Sequence, residues 1–144
     1  MLGSAVEIRK YEQGDKDRLI SLWRQVFPDD LPHNEPAKVL ESKLMVDDLV
    51  FVAVEGEHLV GGCIAGYDGH RGWLYSVAVA AGYRRKGVGQ ELVNFTIKSL
   101  AELGCIKVNL QVRSTNAAVV AFYETLGFNI EERISMGKRV DGNA

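Results

Sequence analysis

Cysteine, proline, histidine and net charge are all scarce in this chain of 144 residues. Its two cysteines, Cys63 and Cys105, stand far apart among apolar neighbours, which excludes a disulfide framework and a Cys-x-x-Cys metal site and fits buried thiols. With only His33, His58 and His70 scattered besides, no metal-ligand cluster is expected. The charge balance is 17 basic against 19 acidic side chains, a net of −2. That excludes a protein coating nucleic acid or an anionic membrane, and leaves only local basic patches to consider. The longest uncharged stretch, Gly72 to Tyr83, has twelve residues, too short and too glycine-rich to span a bilayer. No basic segment followed by an apolar one opens the chain, so no secretory signal is expected and the cytoplasm is the expected compartment.

What is present is ordinary: 47% hydrophobic and 25% charged residues, close to the soluble globular average and far from disordered or collagen-like chains. The length fits one domain over residues 1–144 with a single core. Val6 to Tyr11 alternates apolar and polar residues and reads as a strand. Asp15 is expected to cap a helix through Val26, with Leu19, Leu22, Trp23 and Val26 at spacings of three and four. A second helix is expected from Asn34, with Pro36 in its first turn and Val39, Leu40 and Leu44 on one face.

Three strand-like runs follow, Leu49 to Glu55, Leu59 to Tyr67 and Trp73 to Ala80, joined by turns short enough to predict an antiparallel meander. Gln90 to Leu103 then places Val93, Ile97, Leu100 and Ala101 on one helix face, ends at Gly104, and leads into a strand at Lys107 to Val112. Strand, helix, strand predicts a parallel crossover. Asn116 can cap a short helix with Val119, Val120, Tyr123 and Leu126 at helical spacing and Gly127 just past its end; Phe128 to Arg139 is expected to add one or two final strands. The order β-α-α-β-β-β-α-β-α-β makes an α+β fold: one mixed, mostly antiparallel sheet with a central parallel crossover and about four flanking helices.

The chemistry is concentrated at Arg84-Arg85-Lys86-Gly87-Val88-Gly89, between an apolar strand and an amphipathic helix. A helix start leaves N–H groups unpaired and carries partial positive charge, and glycines let an anion approach the backbone. A solvated loop with glycines for tight turning is the competing reading; the position between strand and helix favours the anion site. Lys86 precedes the glycines, so a nucleoside triphosphate loop of the G-x-x-x-x-G-K-[ST] type is absent. Gly87-x-Gly89 is followed by Leu92 and lies beyond mid-chain, so the dinucleotide fingerprint is absent too.

The stretch V-A-V-A-A-G-Y-R-R-K-G-V-G-Q-E-L, Val77 to Leu92, resembles the acyl-CoA motif of the GNAT superfamily of N-acyltransferases, with Arg84-x-x-Gly87-x-Gly89 matching [QR]-x-x-G-x-[GA]. A second block, N-L-Q-V-R-S-T-N-A-A-V-V-A-F-Y-E-T-L-G-F from Asn109 to Phe128, resembles the strand and helix that follow in that family. The resemblance implies a GNAT-like fold over about Val6 to Val140 and an acetyl-CoA-dependent N-acetyltransferase acting on a primary amine, of a small molecule or a protein N-terminus, by direct attack in a ternary complex. It implies that backbone groups of Arg84, Arg85, Lys86, Gly87, Val88, Gly89 and Gln90 hold the pyrophosphate. Main-chain groups of Val77, Ala78 and Val79 would pair with the pantetheine arm from a strand splayed from its neighbour, one N–H polarising the thioester carbonyl. Asn116 would touch the cofactor, cap its helix, or do both.

Tyr123 matches the tyrosine that protonates the departing thiolate in many members; a phenol near a pKa of ~10 can donate to a thiolate of ~8.5. Core packing is the rival role for it. Many members carry a glutamate as general base on the strand of Val77 to Val79, whereas Trp73, Leu74, Tyr75 and Ser76 offer no carboxylate here. Tyr75 through water, Asp68 or His70 from the preceding turn, or an acceptor arriving deprotonated stay open. The missing glutamate also motivates a non-catalytic CoA-binding module as the alternative. Asp29, Asp30 and Glu35 form an acidic stretch that could attract a cationic amine, or serve only as a solvated loop. No metal, nucleic acid or membrane partner is expected; family members often dimerise, so a homodimer is an open expectation.

Overall fold

The computed structural model describes residues 5–28 and 32–142. The chain divides into two compact units, Met1–Gln111 and Val112–Ala144. In the first, strands β1 (Glu7–Lys10), β2 (Val50–Glu55), β3 (His58–Tyr67), β4 (Gly72–Val79) and β5 (Val108–Leu110) form one sheet in sequence order. The first three pairings are antiparallel and β4–β5 is parallel. Helices α1 (Lys16–Val26) and α2 (Pro36–Leu44) lie between β1 and β2, and α3 (Val88–Glu102) makes the crossover from β4 to β5. The mixed sheet with its parallel crossover is the architecture expected from the sequence.

The pleat explains how one apolar run serves two layers. Successive residues of a strand face opposite sides, so Val50, Val52 and Val54 meet Leu19, Leu22 and Trp23 of α1 and Leu40 of α2 on one face. On the other face Ala53 packs with Val6, Val60 and Val88, and Phe51 meets Phe95 edge-on at 5.9 Å between ring centroids. β2 is thus buried on both sides. Helix α1 lies very close to the sheet backbone: a Cβ placed on Gly62 would come within 2.3 Å of Leu19 Cδ1. On α3 the buried positions are Val88, Leu92, Val93, Thr96 and Leu100. Ala101, expected on that face, is exposed, and Thr96 takes part instead because its hydroxyl donates to Leu92 O at 2.8 Å.

Two helix starts differ from expectation. Asp15 precedes α1 but makes no side-chain cap to it. Its buried carboxylate accepts from Glu12 N at 2.7 Å and from Arg9 through both oxygens at 2.8 and 3.0 Å, with Arg18 Nη2 3.0 Å from Oδ1. Arginine's planar fork competes successfully for a carboxylate that a helix start would otherwise engage. At α2 the cap is Glu35 rather than Asn34, its carboxylate accepting from Ala37 N and Lys38 N.

The second unit contains α4 (Ala117–Thr125), capped by Asn116 Oδ1 accepting from Val119 N at 3.3 Å. Gly127, at φ +94°, ends it: Gly127 N donates to Glu124 O and Phe128 N to Tyr123 O. Gly104, at φ +103°, ends α3 with the same pair of bonds, from Gly104 N to Ala101 O and from Cys105 N to Leu100 O. The strands expected over 128–139 do not form within this unit taken by itself. Its described residues hold one helix and no strand of their own, and alternation makes a strand only where a ladder partner exists. Among the described residues no helix is long and apolar enough to cross a membrane.

Burial pushes the Asp15 carboxyl upward, but the hydrogen bonds from Arg9 and Glu12 N and the charges of Arg9 and Arg18 outweigh it and leave the pKa lowered. A depressed carboxylate contributes stability above its unfolded pKa of ~3.9 and loses it as pH falls through the folded value. Asp15→Asn is expected to cost about 2 kcal/mol at pH 7. The gap from wild type should narrow steadily below about pH 4 in denaturant titrations, and a pH-independent gap would contradict this account.

Candidate active site

The break in β4 organises the candidate site. Ile64 faces Tyr75 and Gly62 faces Ala78 across β3–β4, so the register slips and Ser76 and Val77 stand against Cys63 alone. Ser76 has φ +51°, and its carbonyl accepts from the Trp23 indole Nε1 of α1 at 2.7 Å. β4 pairs with β5 only at Gly72, Trp73 and Leu74, so the segment from Tyr75 to Val79 runs on past the last pair. This is the splayed strand that the sequence resemblance implies. Val77, Ala78 and Val79 all lie on it.

Beyond Val79, a short 3₁₀ turn at Ala81–Tyr83 leads into the basic loop. Tyr83 anchors that turn, donating its phenol hydrogen to Glu55 Oε1 of β2 at 2.6 Å; this bond, with burial and the charge of Glu55 adding, raises the phenol pKa. Lys86 Nζ stands 5.6 Å from the Tyr83 ring centroid. Arg85 at φ +63° and Gly87 at φ +84° turn the backbone through two left-handed positions just before α3. Gly87 is the N-cap residue and α3 has no side-chain cap, with Glu91 N→Gly87 O at 3.0 Å as the first helical bond. The N–H groups of Val88, Gly89 and Gln90 at the helix start are therefore uncapped by any side chain. A Cβ at Gly87 would meet nothing within 4 Å, so the space beside it is open.

Arg84, Arg85 and Lys86 are exposed and make no salt bridge among the described residues; Arg84 Nε reaches only the Val79 carbonyl, at 3.4 Å. Two left-handed positions flanking Lys86, a bare helix start and unneutralised cations form one surface suited to a diphosphate. Arg84 through Gln90, named from the sequence, are thus brought together with Val77–Val79 at the end of one strand. Tyr123 and Asn116 belong to the second unit. There the buried Tyr123 ring meets Phe122 and Phe128 edge-on at 5.0 and 5.5 Å, so it does pack.

The base candidates fare differently. Asp68 Oδ1 accepts from Arg71 N at 2.7 Å and His70 N at 2.8 Å, and these two backbone bonds hold its pKa down. It is a turn residue held in its ionised form, a weak proton acceptor near neutral pH. Burial, with the charge of Asp68 adding, raises the pKa of half-exposed Tyr75, so its phenol is neutral there. Glu35 is occupied by Arg24, at 2.6 Å from Nη2, and by the α2 cap; the Arg24 bond first, then the backbone bonds, lower its pKa. Asp29 and Asp30 lie outside the described residues. Among the described residues no group of three His, Cys, Asp or Glu side chains could hold a metal.

Sequence reasoning missed two residues: Tyr83 as the anchor of the basic loop, and Ser76 as the left-handed residue at the register slip. An aromatic inside G-Y-R-R-K hinted at the first; nothing about serine announces the second.

Comparison with known proteins decides the family. The Acetyltransferase (GNAT) family matches residues 16–128. The chain belongs to that family. An acetyltransferase of Pectobacterium atrosepticum is 38% identical over 138 residues, covering 94% of this chain and 96% of the relative, and one of Sodalis glossinidius is 38% identical over 139 residues, with the same shares covered. Among solved structures, the aminoglycoside N-acetyltransferase AAC(6')-Iy in complex with CoA superposes with a TM-score of 0.79 at 20% identity, covering 94% of this chain and 95% of that one. The ribosomal-protein-S18-alanine N-acetyltransferase of Escherichia coli gives 0.76 at 26% identity, covering 86% and 77%. Membership, with relatives that are acetyltransferases over nearly their whole length, makes the chain an acyltransferase enzyme.

Burial pushes the Cys63 thiol up to about 12 against the opposing contact with Thr96 Oγ1 at 3.5 Å. At pH 8 only about one thiol in 10⁴ would be ionised. Folded protein treated with iodoacetamide at pH 8 is expected to stay unmodified at Cys63, with modification only after unfolding. Rapid labelling of the native chain, found by peptide mass spectrometry, would contradict that burial.

Proposed function

We propose that this acyltransferase moves the acetyl group of acetyl-CoA directly to a primary amine, of a small molecule or a protein N-terminus. The observation that carries the reading is the uncapped start of α3 beside three cations that have no carboxylate partner among the described residues, at the end of a strand whose β5 pairs stop at Leu74. Bound acetyl-CoA supplies an activated acyl group; the chain supplies everything else. Arg84 to Gln90 hold the pyrophosphate through backbone N–H groups and positive charge. Main-chain groups of Val77, Ala78 and Val79 pair with the pantetheine arm, and the Val77 N–H is aimed at the thioester oxygen, where negative charge develops as the amine nitrogen attacks. The C–S bond breaks, and Tyr123 gives its phenolic proton to the departing thiolate sulfur. Asn116 caps α4 and in this reading also contacts CoA.

The cysteines support direct transfer: both are buried, and Cys63 is held far from ionisation. With Asp68 locked in its turn, the acceptor amine arrives as the neutral base; after attack its nitrogen gives up one proton to water, Tyr75 assisting as a neutral relay, and solvent returns a proton to the Tyr123 phenolate. The acceptor class gains support from structural neighbours: a CoA–neamine bisubstrate analogue occupies one, and sisomicin another. One acetyltransferase domain over residues 1–144 fits the family match, which runs through residues 16–128 and so spans both units.

Calorimetry is expected to show CoA binding by the wild type and at least a tenfold weaker affinity for Gly87→Glu, whose carboxylate repels the diphosphate at a left-handed position; the stability cost should be only about 1 kcal/mol. Binding of equal strength by both would remove the diphosphate site. Tyr123→Phe is expected to lower kcat by roughly 10²-fold on an amine identified from a panel of polyamines, aminoglycosides and peptides, with CoA affinity unchanged. An unaltered kcat would assign Tyr123 to packing alone.

A further inference from the structure

Trp23 fills the α1 face of the core at 1% exposure, as its helical spacing predicts. Its indole N–H does something that packing does not require: it donates to the Ser76 carbonyl at 2.7 Å. Ser76 and Arg85 are the non-glycine residues with positive φ among those described. A serine at φ +51° is disfavoured and persists only where its surroundings hold it. The surroundings here are unusual, because neither Ser76 nor Val77 has a register partner on β3, and the β5 pairs have already ended at Leu74. With the β3 register interrupted and the β5 pairs ended, the Trp23 bond is a tertiary contact that holds this peptide.

A carbonyl and the next residue's N–H share one rigid plane and, in a trans peptide, point in opposite directions. No cis peptide occurs among the described residues. Fixing the Ser76 C=O on α1 therefore fixes the Val77 N–H, aimed away from the indole. We infer that Trp23 is a positioning residue for acyl transfer: its indole N–H sets the Ser76–Val77 peptide plane and so aims the Val77 N–H at the thioester oxygen. This rests on the role given to Val77 under Proposed function. A hydrogen-bond donor accelerates a reaction when it is oriented before charge develops; a peptide free to rotate must be ordered in every turnover. Phenylalanine would leave both a cavity and the Ser76 carbonyl without its donor, whereas a benzothiophene ring keeps the shape and removes only the N–H. The chain thus uses one buried helix residue to support a backbone strained for function.

The test removes the N–H and keeps the shape. The chain has two tryptophans, so a Trp73→Phe parent confines replacement to position 23. Growth on benzothienylalanine puts sulfur in place of the indole N–H, and growth on 5-fluorotryptophan retains it. Three readouts are taken: CoA affinity by calorimetry, kcat and KM on an accepted amine, and the Val77 amide in ¹⁵N–¹H spectra with its hydrogen-exchange rate. The sulfur analogue is expected to lose roughly 10- to 100-fold in kcat at unchanged CoA affinity, with a shifted and faster-exchanging Val77 amide. The fluorinated protein should match the parent. A Val77 amide identical in both proteins overturns the inference, as does an unaltered kcat in the sulfur analogue. A parent that binds CoA yet acetylates no amine refutes the proposed function instead, and the amide spectra still decide whether Trp23 orients the peptide.

Discussion

β4 has to satisfy two incompatible demands, and the rest of the N-terminal unit is arranged around them. It is a structural strand with a ladder to β3, and in the proposed function it also presents backbone groups to the cofactor. A fully paired strand has no groups to spare. The chain resolves this by pairing β4 with β5 at three positions only, Gly72 to Leu74, and by slipping the β3 register so that Ser76 and Val77 escape pairing on that side as well. The cost of the interruption is carried by neighbours: Trp23 takes the Ser76 carbonyl, and Ala80 N returns to Val60 O at 2.8 Å to resume contact with the sheet.

Charge is handled with the same division of labour. Arg9 and Arg18 are committed to Asp15, a carboxylate that would be costly to bury alone, and Arg24 is committed to Glu35. Arg84, Arg85 and Lys86 are left without carboxylate partners among the described residues, at the start of a helix whose dipole adds to their field. The net charge of −2 conceals this contrast. A sum over the chain says little about a surface where like charges stand together.

The sheet order, the crossover and the basic loop were legible because each leaves a local mark: alternation in β1, short turns through the meander, and Leu-Gly ends on α3 and α4. The positions of Arg84 to Gln90 at a helix start followed from the same marks. Asp15 was misread because its partner Arg9 arrives from β1, a tertiary event that local capping rules do not see. Thr96 was passed over because a polar residue is buried on α3 only when its hydroxyl finds Leu92 O. The left-handed Ser76 left no mark, since its conformation is imposed by Trp23, 53 positions away in sequence. Within the C-terminal unit by itself, residues 128–139 have no strand to pair with, and alternation alone does not supply one.

The contact between Gly62 and Leu19 restricts how this sequence can drift. Helix α1 lies so near β3 that even a methyl group at position 62 would intrude to 2.3 Å on Leu19 Cδ1. A larger residue at position 62 must turn the Leu19 side chain aside within a fully packed core or move α1 outward, and the second course would carry the indole of Trp23 away from the Ser76 carbonyl. A glycine remote from any ligand thereby becomes a point at which ordinary packing limits the divergence of an acyltransferase.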